Sequence, residues 1–219
     1  MISSHEQLEP GQLSLGRLER LSDVVYAVTL ILLLATLRFA PKDLTSEEVF
    51  RYLLTEGGSY VGYVISFLII AFYWITQQQY FSHYRKTDKT HTMLELIYLM
   101  FLVIIPFGNQ FLSAHPDKFL PRVVITIDMT LVGLMLCLSW RYATRNDRLT
   151  KSGIVDQPTR SMRSREALML PALGVIGLAA GYFYTYAWDL VLVIGSLVAI
   201  GRRNNKRGAN NKQGTGLDI

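Results

Sequence analysis

Gly57-Gly-Ser-Tyr-Val-Gly-Tyr-Val-Ile-Ser-Phe-Leu-Ile-Ile-Ala-Phe-Tyr-Trp-Ile-Thr-Gln-Gln-Gln-Tyr-Phe-Ser-His-Tyr84 contains no Asp, Glu, Lys or Arg. An α-helix needs ~18–20 largely apolar residues to cross about 30 Å of hydrocarbon, and this stretch exceeds that length. Two further stretches are equally free of charge, Leu96 to Pro116 and Ala167 to Trp188. Half of the 219 residues are apolar and 18% are charged, with a mean hydropathy of +0.25. A soluble chain of this size carries about 25% charge. The pattern is that of an all-α, polytopic membrane protein. Six helices of about 20 residues use about 120 positions, which leaves no room for a separate catalytic domain.

Working outward gives six spans. The first runs from about Leu18 to Phe39, and its charge-free part is only Val24 to Leu37. To cross fully it must take in Ser22 and Asp23, and an ionisable residue at that depth is a functional candidate. The second lies within Gly58–Ser82, the third covers about Thr92–Leu112, and the fourth about Leu120–Tyr142 with Asp128 inside it. Pro106 should interrupt the third, because proline removes a backbone hydrogen bond and bends the axis. Ala167 to Gly201 is too long for one crossing and divides into two helices of ~17 residues each, about 26 Å. Gly181 and the Tyr182–Tyr186 aromatic cluster mark the hinge.

Bases test the topology, since Lys and Arg gather on the cytoplasmic side. With the N-terminus inside, only Arg38, Lys42, Arg51, Lys118 and Arg122 fall outside, against 17 of the 22 Lys and Arg inside. Five spans would put the basic tail outside. The expected layout is a cytoplasmic segment 1–16, a six-helix transmembrane domain 17–202 and a disordered basic cytoplasmic tail 203–219, in a multi-pass protein of the cell membrane. Asn146 to Ser164 is the long polar cytoplasmic connector. Met1 to Ser14 has no cleavable signal pattern. The net charge of +5 sits beside apolar spans, a topological arrangement that does not predict nucleic-acid binding.

No P-loop, G-x-S-x-G or H-E-x-x-H motif is present, and no enzyme is predicted. His5, His83, His91 and His115 lack metal-site spacing and read as interfacial or loop histidines. No metal and no resident cofactor are expected. Cys137, the single cysteine, reads as lipid- or core-facing. A T-V-G-Y-G filter is absent, and Gly108-Asn109-Gln110 reads as a frayed polar helix end.

The first helix carries the functional signal. Arg17-x-x-x-Leu21-Ser22-Asp23 resembles the R-x-x-x-F-S-D signature of the transmembrane protein 175 family of potassium channels, and the likeness continues through Ala27 to Leu32-Leu33. Ser66-Phe67 through Tyr73-Trp74 is similar to that family's second span, and Ile105-Pro106-Phe107 to the end of its third. The departures are Leu21 for the aromatic, Ile31 for a threonine, Gln77 and Gln78 for histidines after the tryptophan, and Glu95 for an asparagine. The resemblance implies one polar network joining Arg17, Ser22 and Asp23 to Trp74, Gln77 and Glu95. It also implies a homotetramer, with the first helix lining a central pore for monovalent cations, potassium above all. In place of a carbonyl filter, rings of Val28, Ile31, Leu32 and Ala35 would form the constriction. These four lie at i, i+3, i+4 and i+7, one helical face.

Other readings stay open at this level. Ser22 and Asp23 can merely cap and anchor the helix, or affect permeation as well. Asp23 needs a donor, either Arg17 by a folded-back terminus or a neighbouring helix. The aliphatic stripe can be core or lipid surface. Thr29 or Thr36 could offer hydroxyls to a cation. Asp23, Glu95, Asp128 and Asp189 at membrane depth would also suit a proton-coupled carrier. The sequence alone gives neither ion preference nor gating stimulus.

Overall fold

The computed structural model describes residues 14–37, 41–150, 155–184, 187–195 and 197–198. The expectations for the N-terminal segment, for Arg38 and Phe39, for Tyr186 and for the basic tail fall outside these. The described residues form helices and no strand; one isolated antiparallel bridge joins Tyr84 to Thr150. The helices are α1 (Leu15–Leu34), α2 (Ser46–Thr55), α3 (Gly57–Phe81), α4 (Lys89–Leu102), α5 (Ile105–Ala114), α6 (Phe119–Thr144), α7 (Gln157–Ala167) and α8 (Met169–Gly181). Residues 187–195 are also helical.

Among the described residues, three segments are long and apolar enough to cross a membrane: Gly57–Phe81, Lys89–Ala114 and Phe119–Asp147. Helix α1 has the length for about 30 Å at 1.5 Å per residue, but Arg17, Glu19, Arg20 and Asp23 fill its first half. Helix α8 is 13 residues, shorter than the ~17 expected. Chain before it is helical too: α7 and α8 meet at Leu168, the C-cap of one and the N-cap of the other. Pro106 acts as expected. Helix α4 stops at Leu102, and α5 starts afresh with the proline in its first turn, where its missing N–H costs nothing.

Helix α6 is the hub, packed against α3, α4, α5, α7 and α8. Its contact with α8 runs over small residues. A Cβ on Gly133 would stand 2.5 Å from Pro171 Cγ and 2.6 Å from the Ala167 carbonyl oxygen, so only glycine lets these backbones approach this closely. Helix α1 packs on α3, α4 and α5 from the side. Ser22, Tyr26, Thr29 and Leu33 form its buried face.

Two helices lie where no span was expected. Helix α2 begins with a capping box in which the Thr45 hydroxyl accepts from the Glu48 N–H and the Thr45 N–H donates to the Glu48 carboxylate at 2.8 Å. The hydroxyl of Thr45, then its N–H, hold the Glu48 carboxyl below its usual value. Val49, Phe50, Leu53 and Leu54 stay exposed, an amphipathic pattern suited to an interface. Helix α7 starts at N-cap Asp156, whose carboxylate accepts from the Thr159 N–H at 3.0 Å, and its first two turns lie in the polar connector Asn146 to Ser164.

Two single-residue readings are corrected, and a third residue, Arg122, is buried. Asn109 is buried within α5, joined to Ser66 and to Thr36 rather than frayed into solvent. His91 is buried in α4, its Nδ1 2.8 Å from the Thr87 hydroxyl, not an interfacial histidine. Arg122, counted among the outer bases, is 3% exposed. It donates to the carbonyls of Pro116 and Lys118 at 2.9 and 3.1 Å and stands 3.5 Å from Asp189, while its Nε has no hydrogen-bond partner among the described residues. Cys137 lies in the core.

Candidate functional site

The site begins at the second turn of α1. Ser22 is buried, and its hydroxyl donates to the Leu18 carbonyl at 3.0 Å. The same oxygen accepts from Gln77 Nε2 on α3 at 3.4 Å. Gln77 Nε2 also donates to Glu95 Oε2 on α4 at 2.8 Å, and Ser139 of α6 donates to Glu95 Oε1 at 2.5 Å. One polar chain thus links four helices through the interior. His91 sits one turn before Glu95, its Nε2 3.7 Å from the carboxylate. A turn deeper along α1, the hydroxyls of Tyr26 and Tyr98 meet, both buried.

Asp23 anchors the neighbouring position. Its Oδ1 accepts from Trp74 Nε1 at 3.1 Å and from Gln78 Nε2 at 2.7 Å. The donors come from α3, which settles where Asp23 finds its partners. Trp74, Gln77 and Gln78 stand at i, i+3 and i+4, one face of α3. That spacing lets a single helix hold Ser22 and Asp23, adjacent residues of α1, at once. Arg17 stands exposed in the first turn of α1 and is not a member of this network. Ser139 is a member that the sequence did not single out. It lies among Leu136, Cys137, Leu138 and Trp140, and nothing local to it signals that Glu95 lies opposite.

The other face of α1 is bare. Val28, Ile31, Leu32 and Ala35 are all exposed, Ile31 most of all at 66%. Leu21 and Val24 extend the same stripe toward the signature turn. Among described residues the chain puts nothing over it. Thr29 and Thr36 do not share this face. Thr29 is buried and donates to the Val25 carbonyl at 2.7 Å. Thr36 donates to the Leu33 carbonyl at 2.7 Å and accepts from Asn109 at 3.0 Å. At 100° per residue the two threonines fall on the packed side.

The remaining acids have separate surroundings. Asp189 faces Arg122. Asp128 is buried, with Oδ2 lacking a hydrogen-bond partner among the described residues.

Replacing Asp23 with asparagine keeps the shape and the acceptor oxygen but removes charge-assisted bonds, each worth about 1.5–3 kcal/mol. Asp23→Asn should leave membrane insertion intact and weaken the attachment of α1 to α3. Melting of the purified protein in detergent should fall by several degrees, and any ion flux should change. Wild-type melting and wild-type flux together would show Asp23 to be an ordinary helix-end residue.

Residues 17–106 match the family model described as "Endosomal/lysosomal potassium channel TMEM175". That range holds the α1, α3 and α4 members of the network and stops short of Ser139. A protein named as a potassium channel in Streptomyces collinus is 27% identical over 157 residues, 70% of this chain and 76% of its own length. One from Chamaesiphon minutus, also named as a potassium channel, is 26% identical over 175 residues, 76% of this chain and 86% of its own. The crystal structure of a lysosomal potassium-selective channel TMEM175 homolog from Chamaesiphon minutus superposes with a TM-score of 0.72. It covers 87% of this chain and 98% of that one at 20% identity. The chain thus shares the fold of a TMEM175 homolog, and its first four helices from Arg17 on, the signature turn included, lie in the stretch that matches the TMEM175 family model.

Proposed function

We propose that this chain is one subunit of a potassium channel, selective or weakly selective for potassium. In this reading four copies assemble with α1 innermost, and cations pass down their gradient between rings of Val28, Ile31, Leu32 and Ala35. The observation that carries it is the apolar stripe of α1, left uncovered by the described residues of its own chain and fixed in place by the polar network behind it. Four such stripes facing one another would bury each other's apolar surface and leave a narrow axial path. Large aliphatic rings of this kind gate by dewetting. Relatives that cover most of the chain are named as potassium channels, which supports the ion. Likeness to a family of ion channels also agrees with the absence of enzymatic motifs in the sequence. Potassium would be the cargo here, with no resident cofactor.

The same reading gives six crossings, α1, α3, α4–α5, α6, α8 and the helix at 187–195, in one channel domain over residues 17–202. Both ends, 1–16 and 203–219, would then lie in the cytoplasm. In support, Ser22 of α1, Gln77 of α3, Glu95 of α4 and Ser139 of α6 meet toward one end of the bundle. There the loop after α3 pairs with the segment after α6, as Arg85 N–H donates to the Leu149 carbonyl at 2.8 Å. Most bases gather at that end, as the cytoplasmic side requires. Cysteines placed at Ser46 or Asp117 should react with an impermeant reagent added outside whole cells. Cysteines at Ser152 or Thr215 should stay unlabelled until the membrane is opened; labelling of Thr215 from outside would refute six spans.

Flux decides the function. Purified protein in liposomes should pass potassium without a proton gradient and faster than sodium. Potassium movement that occurs only with a proton gradient would instead assign a coupled carrier, and the absence of any flux would assign a non-transporting role.

A further inference from the structure

We propose that the cleft between α6 and α7 binds the phosphate headgroup of an anionic phospholipid. The inference rests on the channel reading in one respect, that this end of the bundle meets the cytoplasmic leaflet. The cleft has a volume of about 840 Å³, enough for a headgroup and its glycerol. Arg141 enters it from the last turn of α6, Arg145 from the C-cap of that helix, and Arg160 and Arg165 from α7. No carboxylate lines it among the described residues. Of the four guanidiniums, Arg160 pairs with Asp147 outside the cleft, and its Nε is buried without a hydrogen-bond partner. Arg141, Arg145 and Arg165 have no ion-pair partner among the described residues, and like charges around one cavity repel until an anion enters. The planar fork of arginine matches the oxygens of a phosphate.

The cleft's walls favour a lipid over a free ion. Leu138 lies one turn before Arg141 on the same side of α6, and Leu168 closes α7; both line the cleft and both are half-open to the outside. Basic cavity and apolar wall therefore adjoin in the order that headgroup and acyl chain adopt at a cytoplasmic surface. Helix α7 is also tied to the polar network. Arg163 donates to Gln79, the Tyr80 hydroxyl donates to the Arg163 carbonyl, and Trp140 Nε1 donates to the Arg160 carbonyl at 3.2 Å. Gln79 and Tyr80 directly follow Gln77 and Gln78, which hold α1. A lipid that fixes α7 therefore also steadies the turn of α3 that positions the apolar stripe.

The test uses the full chain, purified from detergent and placed in vesicles of phosphatidylcholine with or without phosphatidylglycerol. Native mass spectrometry reads the phosphatidylglycerol retained per subunit, and ion flux is read in parallel. Arg141→Gln/Arg165→Gln should lower retention roughly fivefold for each guanidinium removed, as one charge near an anionic surface contributes. Arg85→Gln/Lys86→Gln removes the same charge at the same end of the bundle, outside the cleft, and should retain the lipid as the wild type does. Equal losses in the two variants would reduce the effect to unspecific attraction and overturn the proposal. So would displacement of the lipid by glycerol phosphate at matched concentration, which would assign a soluble anion instead. Retention is read without flux, so a protein that holds phosphatidylglycerol in its cleft yet conducts no ion would sink the channel reading and leave the lipid site standing.

Discussion

Shortening Leu32 or Val28 to alanine should raise cation flux severalfold and lower the preference for potassium over sodium, if α1 lines the pore as proposed. A cation that passes an aliphatic ring sheds water and receives no equivalent oxygen in return. The ring therefore sets the barrier, and its width and polarity govern both rate and discrimination. A smaller side chain lets more hydration water travel with the ion. Ile31→Thr introduces hydroxyls into the most exposed position of the stripe, and should sharpen selectivity by supplying ligands that the aliphatic ring lacks. The controls follow from burial. Leu33 is fully buried and Leu30 half-buried against the core, so Leu33→Ala and Leu30→Ala should cost stability, about 2–5 kcal/mol for a filled site, and leave selectivity alone. Flux in liposomes, normalised to assembled protein, makes the comparison. Selectivity that moves with Leu30 and Leu33 but not with Val28, Ile31 and Leu32 would mean that the pore face is wrongly assigned.

Glu95→Leu should be the most damaging single change to stability. Glu95 is buried and accepts from two buried donors, Gln77 and Ser139. An isosteric apolar side chain orphans both, and each unsatisfied buried donor costs about 1–3 kcal/mol. The loss propagates, because Gln77 also reaches Ser22 on α1. The expected result is a large drop in melting temperature, together with altered flux. Removing the donors as well, in Glu95→Leu/Gln77→Leu/Ser139→Ala, should recover much of the stability, since the partners are then apolar together. A double- or triple-mutant cycle isolates this coupling. Strict additivity across the cycle would show that the three residues do not act as a unit.

The outline of the molecule was written in its apolar stretches. Gly57 to Tyr84 became α3 almost residue for residue, and Pro106 divided the third span where its chemistry required. Helices α2 and α7 are short and polar enough that hydrophobic length does not mark them. Their signals were nonetheless local and legible: Thr45 with Glu48 is a capping box, and Asp156 followed by Pro158 is an N-cap with proline in the first turn.

The site divides along the same line. Sequence by itself determined that the chain is a helical membrane protein, because crossing hydrocarbon demands runs of uncharged residues whatever they pack against. It also determined the signature turn and the stripe Val28, Ile31, Leu32 and Ala35, because helical periodicity alone puts those four on one face. Only the tertiary structure decided that Asp23 is held by Trp74 and Gln78, that Glu95 bonds to Ser139 and that Asn109 joins α5 to Thr36 just past α1 and to Ser66 of α3. These contacts span dozens of positions. A polar side chain in an apolar helix carries no local mark of its partner; the donor or acceptor that satisfies it is chosen by how the helices pack.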